Sequence, residues 1–209
     1  LGVVLLLPQP VAAQVDGLRR ALGDGALARV APHVTLVPPI NVADRDLRDV
    51  LDLVRRAAAA SRPLAVALGP VRTFAPTNPV AYLAVGGEDL DELHALRAAV
   101  RTGPLDRPDV HEFVPHVTIA DELAPDRLAA APAVLADFAA EVTVDRVHVM
   151  AESAGRIWQP IADAPLGGPG AGTVGRGSLP LDIAVSGRPD LEAAALLSLD
   201  EGAAPGPPR

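Results

Sequence analysis

One tetrapeptide, Pro-His-Val-Thr, occurs twice in this chain and carries the residues best suited to chemistry. Its histidines are His33 and His116, and its threonines are Thr35 and Thr118. In an extended strand, side chains two positions apart lie on the same face, so each copy presents an imidazole and a hydroxyl together. Because an imidazole titrates near neutral pH, it can donate or accept a proton under physiological conditions.

Two such pairs that face each other across a groove would suit a phosphodiester. One imidazole would take a proton from water, and the other would give a proton to the departing alkoxide. The threonine hydroxyls would donate to the non-bridging phosphate oxygens as charge builds there. We therefore predict His33, Thr35, His116 and Thr118 as catalytic residues, with no cofactor. Zinc needs three or four converging ligands, which the two motifs do not supply, so no metal site is predicted.

The other histidines have weaker grounds for a role in such a site. His94 falls at the edge of a predicted helix face and is expected to be partly exposed and structural. His111 lies in a predicted loop, where a solvated side chain or a supporting role is expected. His148 alternates with valines in a predicted strand and faces either the groove or solvent. The glycines of 170–175 match G-x-G-x-x-G, but no strand precedes them, which favours a linker.

Composition excludes several classes of function. The chain has 209 residues, 49% of them hydrophobic, which is enough for a packed core. It contains no cysteine, and all 18 basic residues are arginine, which rules out a thiol nucleophile, a P-loop lysine and covalent nucleotidylation on lysine. With a net charge of −8 and 2% aromatic residues, the surface disfavours a long nucleic acid.

The elements that would position the two motifs follow from hydrophobic periodicity. Both motifs fall in predicted strands, 30–37 and 114–120. The order of elements in the first half repeats in the second, which predicts an α+β fold with helices outside antiparallel sheets. The predicted helices cover about 11–22, 47–60, 88–101 and 126–139, and the other predicted strands cover 1–8, 63–68, 79–85, 142–150 and 156–161.

Composition also predicts the domain organisation. The main body covers 1–162, and a stretch rich in glycine and proline at 163–178 is predicted to be a linker. Residues 179–199 could add a strand and a short helix of unknown role, and 200–209 are predicted to be disordered. No apolar run is long enough for a membrane span, so we expect a cytoplasmic protein without membrane contact, and a monomer.

The two motifs resemble those of a known family, the 2H phosphoesterases, which include bacterial 2′-5′ RNA ligase and cyclic phosphodiesterase proteins. The resemblance covers about 1–162. It implies a bilobal, pseudo-symmetric fold in which two antiparallel sheets form a central cleft, with helices outside. The matching stretches are His33-Val34-Thr35-Leu36, His116-Val117-Thr118-Ile119, Phe113 and Pro115 before the second motif, and Phe74 with Pro79-Val80-Ala81-Tyr82-Leu83 between the motifs.

The resemblance also implies an activity. Members hydrolyse 2′,3′-cyclic phosphates or related phosphodiesters of small nucleotides and RNA ends without a metal. By analogy, His116 is the base that activates water and His33 is the acid for the leaving oxygen. A different substrate orientation would exchange these roles. Ligation of 2′-5′ ends would be the reverse reaction at the same site and would need no ATP.

One departure from the family pattern bears on the substrate. Many members carry a basic residue directly after the second motif, whereas here Ala120 is followed by Asp121. The expected partner is therefore a small nucleotide or a short RNA end with a cyclic phosphate, and not long RNA. Arg29, Arg72 or Arg156 could replace the missing residue. The alternative function is a non-catalytic protein that binds nucleotides or RNA ends in the same cleft; a scaffold for the C-terminal segment is a third.

Overall fold

The computed structural model describes residues 1–168. Most of the predicted linker, the segment 179–199 and the tail 200–209 lie outside the described residues, as does the glycine-rich stretch 170–175. Within 1–168, no helix combines the length and the apolar character that crossing a membrane requires.

Helices and strands in the described part follow the predicted α+β order. Two short 3₁₀ turns, Asp44–Asp46 and Gly103–Leu105, accompany them. In chain order the elements are β1 (Gly2–Leu6), α1 (Val11–Leu22), β2 (His33–Val37), α2 (Leu47–Ala60), β3 (Leu64–Thr73), β4 (Ala81–Gly86), α3 (Leu90–Val100), β5 (His116–Ala120), α4 (Pro125–Val134), β6 (Ala140–Val144), β7 (Arg146–Ser153) and β8 (Ile157–Pro165).

The strands form two antiparallel sheets of four, as the fold class predicts. Sheet 1 has the order β2-β1-β7-β8, and sheet 2 has the order β5-β4-β3-β6. The two sheets are not the two halves of the chain, because sheet 1 combines the first two strands with the last two. Sheet 2 takes the four strands between them. Each motif strand, β2 or β5, lies at the edge of its own sheet.

Alternation along the strands separates a core face from an open face. In sheet 1, Val3 and Leu5 of β1 are fully buried, as is Val149, which pairs with Val3. Helix α2 contacts β7 and β8, α4 contacts β3, α1 contacts β5, and α3 contacts β2 and β3. The buried side chains form one continuous cluster, so burial of apolar area holds both sheets and their helices together.

One predicted strand proves to be two. The expected strand 142–150 is interrupted at Asp145, where the chain leaves sheet 2 as β6 and enters sheet 1 as β7. Buried valines occupy even positions before the break, Val142 and Val144, and odd positions after it, Val147 and Val149. Even and odd positions of one regular strand point to opposite faces, so a single strand with one buried face could not bury both sets of valines. The carbonyl of Asp145 instead accepts a hydrogen bond from the amide of Leu166, 2.8 Å away.

Several other boundaries differ from expectation: β5 begins at His116 rather than at 114, and β3 continues to Thr73 rather than ending at 68. The first motif strand begins at His33 rather than at residue 30, because the residues before it form turns. Helix α4 ends at Val134 and not near 139; Pro132 in its last turn supplies no amide hydrogen for a helical bond. Strand β8 continues to Pro165, three residues past the predicted end of the body at 162.

A buried ion pair holds the turns that lead into β2. The guanidinium of Arg19 donates to Asp24 at 2.7 Å and to the carbonyl of Val30 at 2.9 Å. Both side chains are buried, and the second oxygen of Asp24 accepts a hydrogen bond from the amide of Ala26. Helix α1 is thereby tied to the segment that sets where His33 enters the sheet.

We expect Asp24→Ala to lower the free energy of unfolding by about 2–4 kcal/mol, because the buried Arg19 charge would lose its buried partner and keep only the partly exposed Asp16, 2.9 Å away. Chemical denaturation followed by circular dichroism measures this change. Arg45→Ala is the matched control: its side chain is 85% exposed, and the expected change is below about 0.5 kcal/mol. Equal losses in free energy of unfolding would show that the buried pair of Arg19 and Asp24 stabilises the fold no more than an exposed arginine does.

Candidate active site

Both motifs lie on edge strands that meet. Strands β2 and β5 are in contact, so their two sheet edges face one space, which we call the cleft. His33 and Thr35 are half-buried, as are His116 and Thr118. The residues between and after them are buried, as the alternation predicts: Val34, Leu36, Val117 and Ile119.

The strand beside each motif repeats the same geometry. In each sheet a β-bulge interrupts the pairing of the motif strand with its neighbour, next to the motif threonine. The proline before each histidine also accepts a hydrogen bond from the neighbouring chain segment. The amide of Leu7 donates to the carbonyl oxygen of Pro32 at 3.0 Å, and the amide of Val85 donates to that of Pro115 at 3.1 Å. The motif residues pair with Leu6 (His33), Val4 (Thr35), Ala84 (His116) and Tyr82 (Thr118).

The same hydrogen bond sets the tautomer of both imidazoles. Nδ1 of His33 lies 2.7 Å from the carbonyl oxygen of Ala31, and Nδ1 of His116 lies 2.7 Å from that of Val114. Since a carbonyl oxygen only accepts, Nδ1 carries the proton in each ring. The other nitrogen, Nε2, is therefore the one available to exchange a proton with a ligand.

Burial disfavours the charged form of both imidazoles. Burial lowers the pKa of His33, and the positive charges of Arg19 and His116 lower it further, while the carbonyl of Ala31 acts in the opposite direction. The pKa of His116 is also lowered by burial, against the effect of its bond to Val114. Both imidazoles are thus biased towards the neutral form in the free protein.

A pair of aromatic rings lies beside the second motif. Phe74 stacks on Tyr82 with ring centroids 4.1 Å apart. Both rings present an edge contact to His116, at 5.0 and 5.3 Å between centroids. In sheet 1 the position that corresponds to Tyr82 is Val4, so His33 has no such neighbour on β1. The two motifs therefore share a backbone geometry but differ in their surroundings.

In each sheet the third strand, counted from the motif strand, carries on the open face a residue that can be charged. His148 of β7 pairs with Val4 and so faces the same side as Thr35. Its Nδ1 is buried without a hydrogen-bond partner within 1–168, and burial lowers its pKa against the effect of Asp163. In sheet 2 the corresponding residue is Arg72, which pairs with Tyr82. Alternation along the strand does not tell which face of the sheet His148 occupies, whereas its pairing with Val4 does.

The remaining candidates lie elsewhere. His94 is exposed and packs against Phe113, with ring centroids 5.3 Å apart, and His111 is exposed. Arg156 lies in the turn between β7 and β8, with Glu152 3.7 Å away. Arg29 precedes β2, and its carbonyl accepts from the amide of Trp158. Within 1–168, His, Asp and Glu side chains do not gather in groups of three or more that could hold a metal ion.

Comparison with known proteins gives the class of this chain. A family model described as the 2′-5′ RNA ligase superfamily matches residues 7–156. A protein of Bacillus cytotoxicus that bears the name "Putative phosphoesterase" is 32% identical over 160 residues, which are 76% of this chain and 91% of that protein. A Bacillus cereus protein of the same name is 31% identical over the same shares.

Solved structures share the fold. TT0787 of Thermus thermophilus matches with a TM-score of 0.56 and 21% identity, over 81% of this chain and 98% of that one. Escherichia coli LigT in complex with NADP⁺ matches with a TM-score of 0.58 and 16% identity, over 80% and 97%. This chain shares with them the fold of two four-stranded antiparallel sheets with helices outside. The chain belongs to the 2′-5′ RNA ligase superfamily, the family of the 2H phosphoesterases.

The lowered histidine pKa values predict a pH dependence of stability. Below about pH 6.5 the unfolded chain takes up protons that the folded imidazoles resist, so the free energy of unfolding should fall as pH falls from about 7.5 to about 5.5. In the variant His33→Asn/His116→Asn this decrease should be smaller. Asn keeps a donor for the carbonyls of Ala31 and Val114 but does not titrate.

Urea denaturation at several pH values measures this slope. The matched control is Thr35→Val/Thr118→Val, which changes the same two strands without removing a titratable group and should keep the wild-type slope. A slope in the double-histidine variant that equals the wild-type slope would contradict the burial of the two imidazoles.

Proposed function

We propose that this protein is a metal-independent phosphodiesterase that hydrolyses 2′,3′-cyclic phosphates of small nucleotides or short RNA ends. One observation carries the proposal: two edge strands that meet each present an imidazole with an available Nε2 and, two residues later, a threonine hydroxyl. His33, Thr35, His116 and Thr118 are the residues that we assign to catalysis.

The threonines would hold the phosphate. Thr35 and Thr118 occupy equivalent positions beside the two bulges, so their hydroxyls can approach one tetrahedral group from opposite sides. Each hydroxyl would donate to a non-bridging oxygen, and its interaction strengthens as negative charge builds on that oxygen in the transition state. Such donors stabilise the pentavalent transition state more than the ground state, which is what accelerates the reaction.

The two imidazoles would move the protons. Nε2 of His116 takes a proton from water while the water oxygen forms a bond to phosphorus. The bond from phosphorus to one ribose oxygen breaks, and Nε2 of His33 gives its proton to that oxygen. The product is a nucleoside monophosphate, and proton exchange with solvent restores both rings. With an RNA 5′-hydroxyl in place of water, the same steps would form a bond from its oxygen to phosphorus, break the bond from phosphorus to the 3′ oxygen of the cyclic phosphate and leave a 2′-5′ phosphodiester.

Proton uptake accompanies substrate binding in this mechanism. In the free protein, the charge of Arg19 adds to the burial that lowers the pKa of His33. A phosphodiester carries a negative charge, which offsets this positive charge and raises the pKa of the acid. His33 therefore gains the proton that it must donate when the substrate arrives, and His116 stays neutral as the base.

The solved relatives support a small ligand. The LigT structures include complexes with NADP⁺, 3′-AMP and ATP, all of them small nucleotides. The net charge of −8 also favours a small ligand, because it repels a long polyanion more than a short one.

Replacement of either histidine tests the assignment. We expect His33→Asn and His116→Asn each to lower kcat for a 2′,3′-cyclic nucleotide by about a hundredfold or more, because each removes one Nε2 proton carrier. Circular dichroism checks that the fold persists. His94→Asn, outside the cleft, should keep wild-type activity, and EDTA should change nothing. Full turnover in both motif variants would overturn the proposal, and saturable binding without any turnover by the wild type would favour the non-catalytic alternative.

The two lowered pKa values also predict the pH profile. In the free protein both imidazoles have pKa values below about 6.5, so kcat/KM should peak on the acidic side of neutrality and fall towards about pH 8, where His33 lacks its proton. The profile of kcat should stay high to a more alkaline pH, because the bound phosphodiester raises the pKa of the acid. Initial rates from about pH 5 to about pH 9 give both profiles. A peak of kcat/KM above about pH 8 would contradict this coupling.

A further inference from the structure

Arg72 is a cation on the open face of sheet 2. It lies on β3 and pairs in register with Tyr82, which in turn pairs with Thr118. The ring of Tyr82 contacts His116, so this face is the one that bears the second motif. Paired residues on neighbouring strands point to the same side, which places Arg72 on that face too, about 10 Å from Thr118 between Cα atoms.

The arginine has no internal function that would explain it. Its side chain is exposed, and within 1–168 it takes part in no salt bridge or side-chain hydrogen bond. On sheet 1, Arg146 pairs with Asp163 at 2.8 Å, and Arg156 lies beside Glu152. On a chain with a net charge of −8, an unpaired cation on the cleft face is a local attraction for an anion.

Two aromatic residues lie between Arg72 and the second motif. Tyr82 separates Arg72 from Thr118, and Phe74, two residues further along the chain from Arg72, covers Tyr82 at 4.1 Å. A phosphate held by Thr118 would thus be followed by an aromatic surface and then by a guanidinium. At the equivalent position of sheet 1 stands His148, beside Asp163, whose carboxylate is paired with Arg146.

We propose that Arg72 binds a second phosphoryl group of the substrate, so that the preferred substrates are nucleotides with a phosphate besides the scissile one, such as a 5′-phosphate. This inference rests on the proposed function for the identity of the first phosphate. A guanidinium offers two parallel donors to phosphate oxygens, which an alkylammonium does not. Arg72 would then take the part of the basic residue that is absent after the second motif, where Asp121 stands.

Binding of two product-like nucleotides tests the inference without relying on turnover. Isothermal titration calorimetry would compare adenosine 3′,5′-bisphosphate with adenosine 3′-monophosphate on the full chain. We expect the wild type to favour the bisphosphate by about 10- to 100-fold, the range of a charge-assisted hydrogen-bonded contact. Arg72→Gln should abolish this preference while leaving the affinity for the monophosphate unchanged. Arg72→Lys should restore part of it.

The matched control and a kinetic arm complete the test. Arg45→Gln removes an exposed arginine outside the cleft and should keep the wild-type preference. For hydrolysis, adenosine 2′,3′-cyclic phosphate would be compared with and without a 5′-phosphate, and Arg72→Gln should lower kcat/KM only for the 5′-phosphorylated substrate. The preference should also weaken as salt concentration rises.

The outcomes separate the two proposals. Equal affinities of the wild type for the two nucleotides, or an unchanged preference in Arg72→Gln, would overturn the role of Arg72 even if the cyclic phosphate is hydrolysed. An Arg72-dependent preference without any hydrolysis would support the role of Arg72 and reject the proposed phosphodiesterase. Binding of neither nucleotide would overturn this inference.

Discussion

The site depends on the burial of the apolar residues that alternate with the motif residues. Val34, Leu36, Val117 and Ile119 are at most 1% exposed, and their burial forces the imidazole and hydroxyl between them to the opposite face. A slip of one residue in either pairing would bury histidine and threonine and expose valine, which costs the transfer free energy of the apolar side chains as well as the desolvation of polar ones. The bulge beside each threonine is part of this register, so two separate stretches of chain reach the cleft in the same geometry.

Equivalent backbone geometry does not make the two imidazoles equivalent. His116 borders the stacked rings of Phe74 and Tyr82, whereas His33 follows the turns held by the buried pair of Arg19 and Asp24. The charge of Arg19 reaches His33, while His116 has an apolar aromatic boundary. This difference arises from what packs around the motifs and not from the motifs themselves. The outer residues Arg72 and His148 extend the same asymmetry along the cleft.

The exchange of strands between the two sheets gives the C-terminal part of the described chain a direct role in the site. Strands β7 and β8 complete sheet 1, and β1 lies between β2 and β7, so the support for the first motif is assembled from both ends of the described region. The change at Asp145 makes this possible, because the chain leaves one sheet and enters the other within two residues. Burial of Leu166, bonded through its amide to the Asp145 carbonyl, closes this crossing.

The sequence by itself determined the motifs, the faces on which their residues lie, the helix positions and the α+β class, because these depend on local periodicity. The single strand predicted over 142–150 was wrong, although the change of the valines from even to odd positions at Asp145 is present in the sequence. Only the tertiary structure decided which strands pair, since pairing depends on contacts between residues far apart in the chain. That pairing brings Arg72 and His148 to the motif faces, leaves Arg156 in a turn, and sets the charges that His33 and His116 experience. No local pattern carries this information, because alternation gives the face of a residue within its own strand but not the neighbours across the sheet.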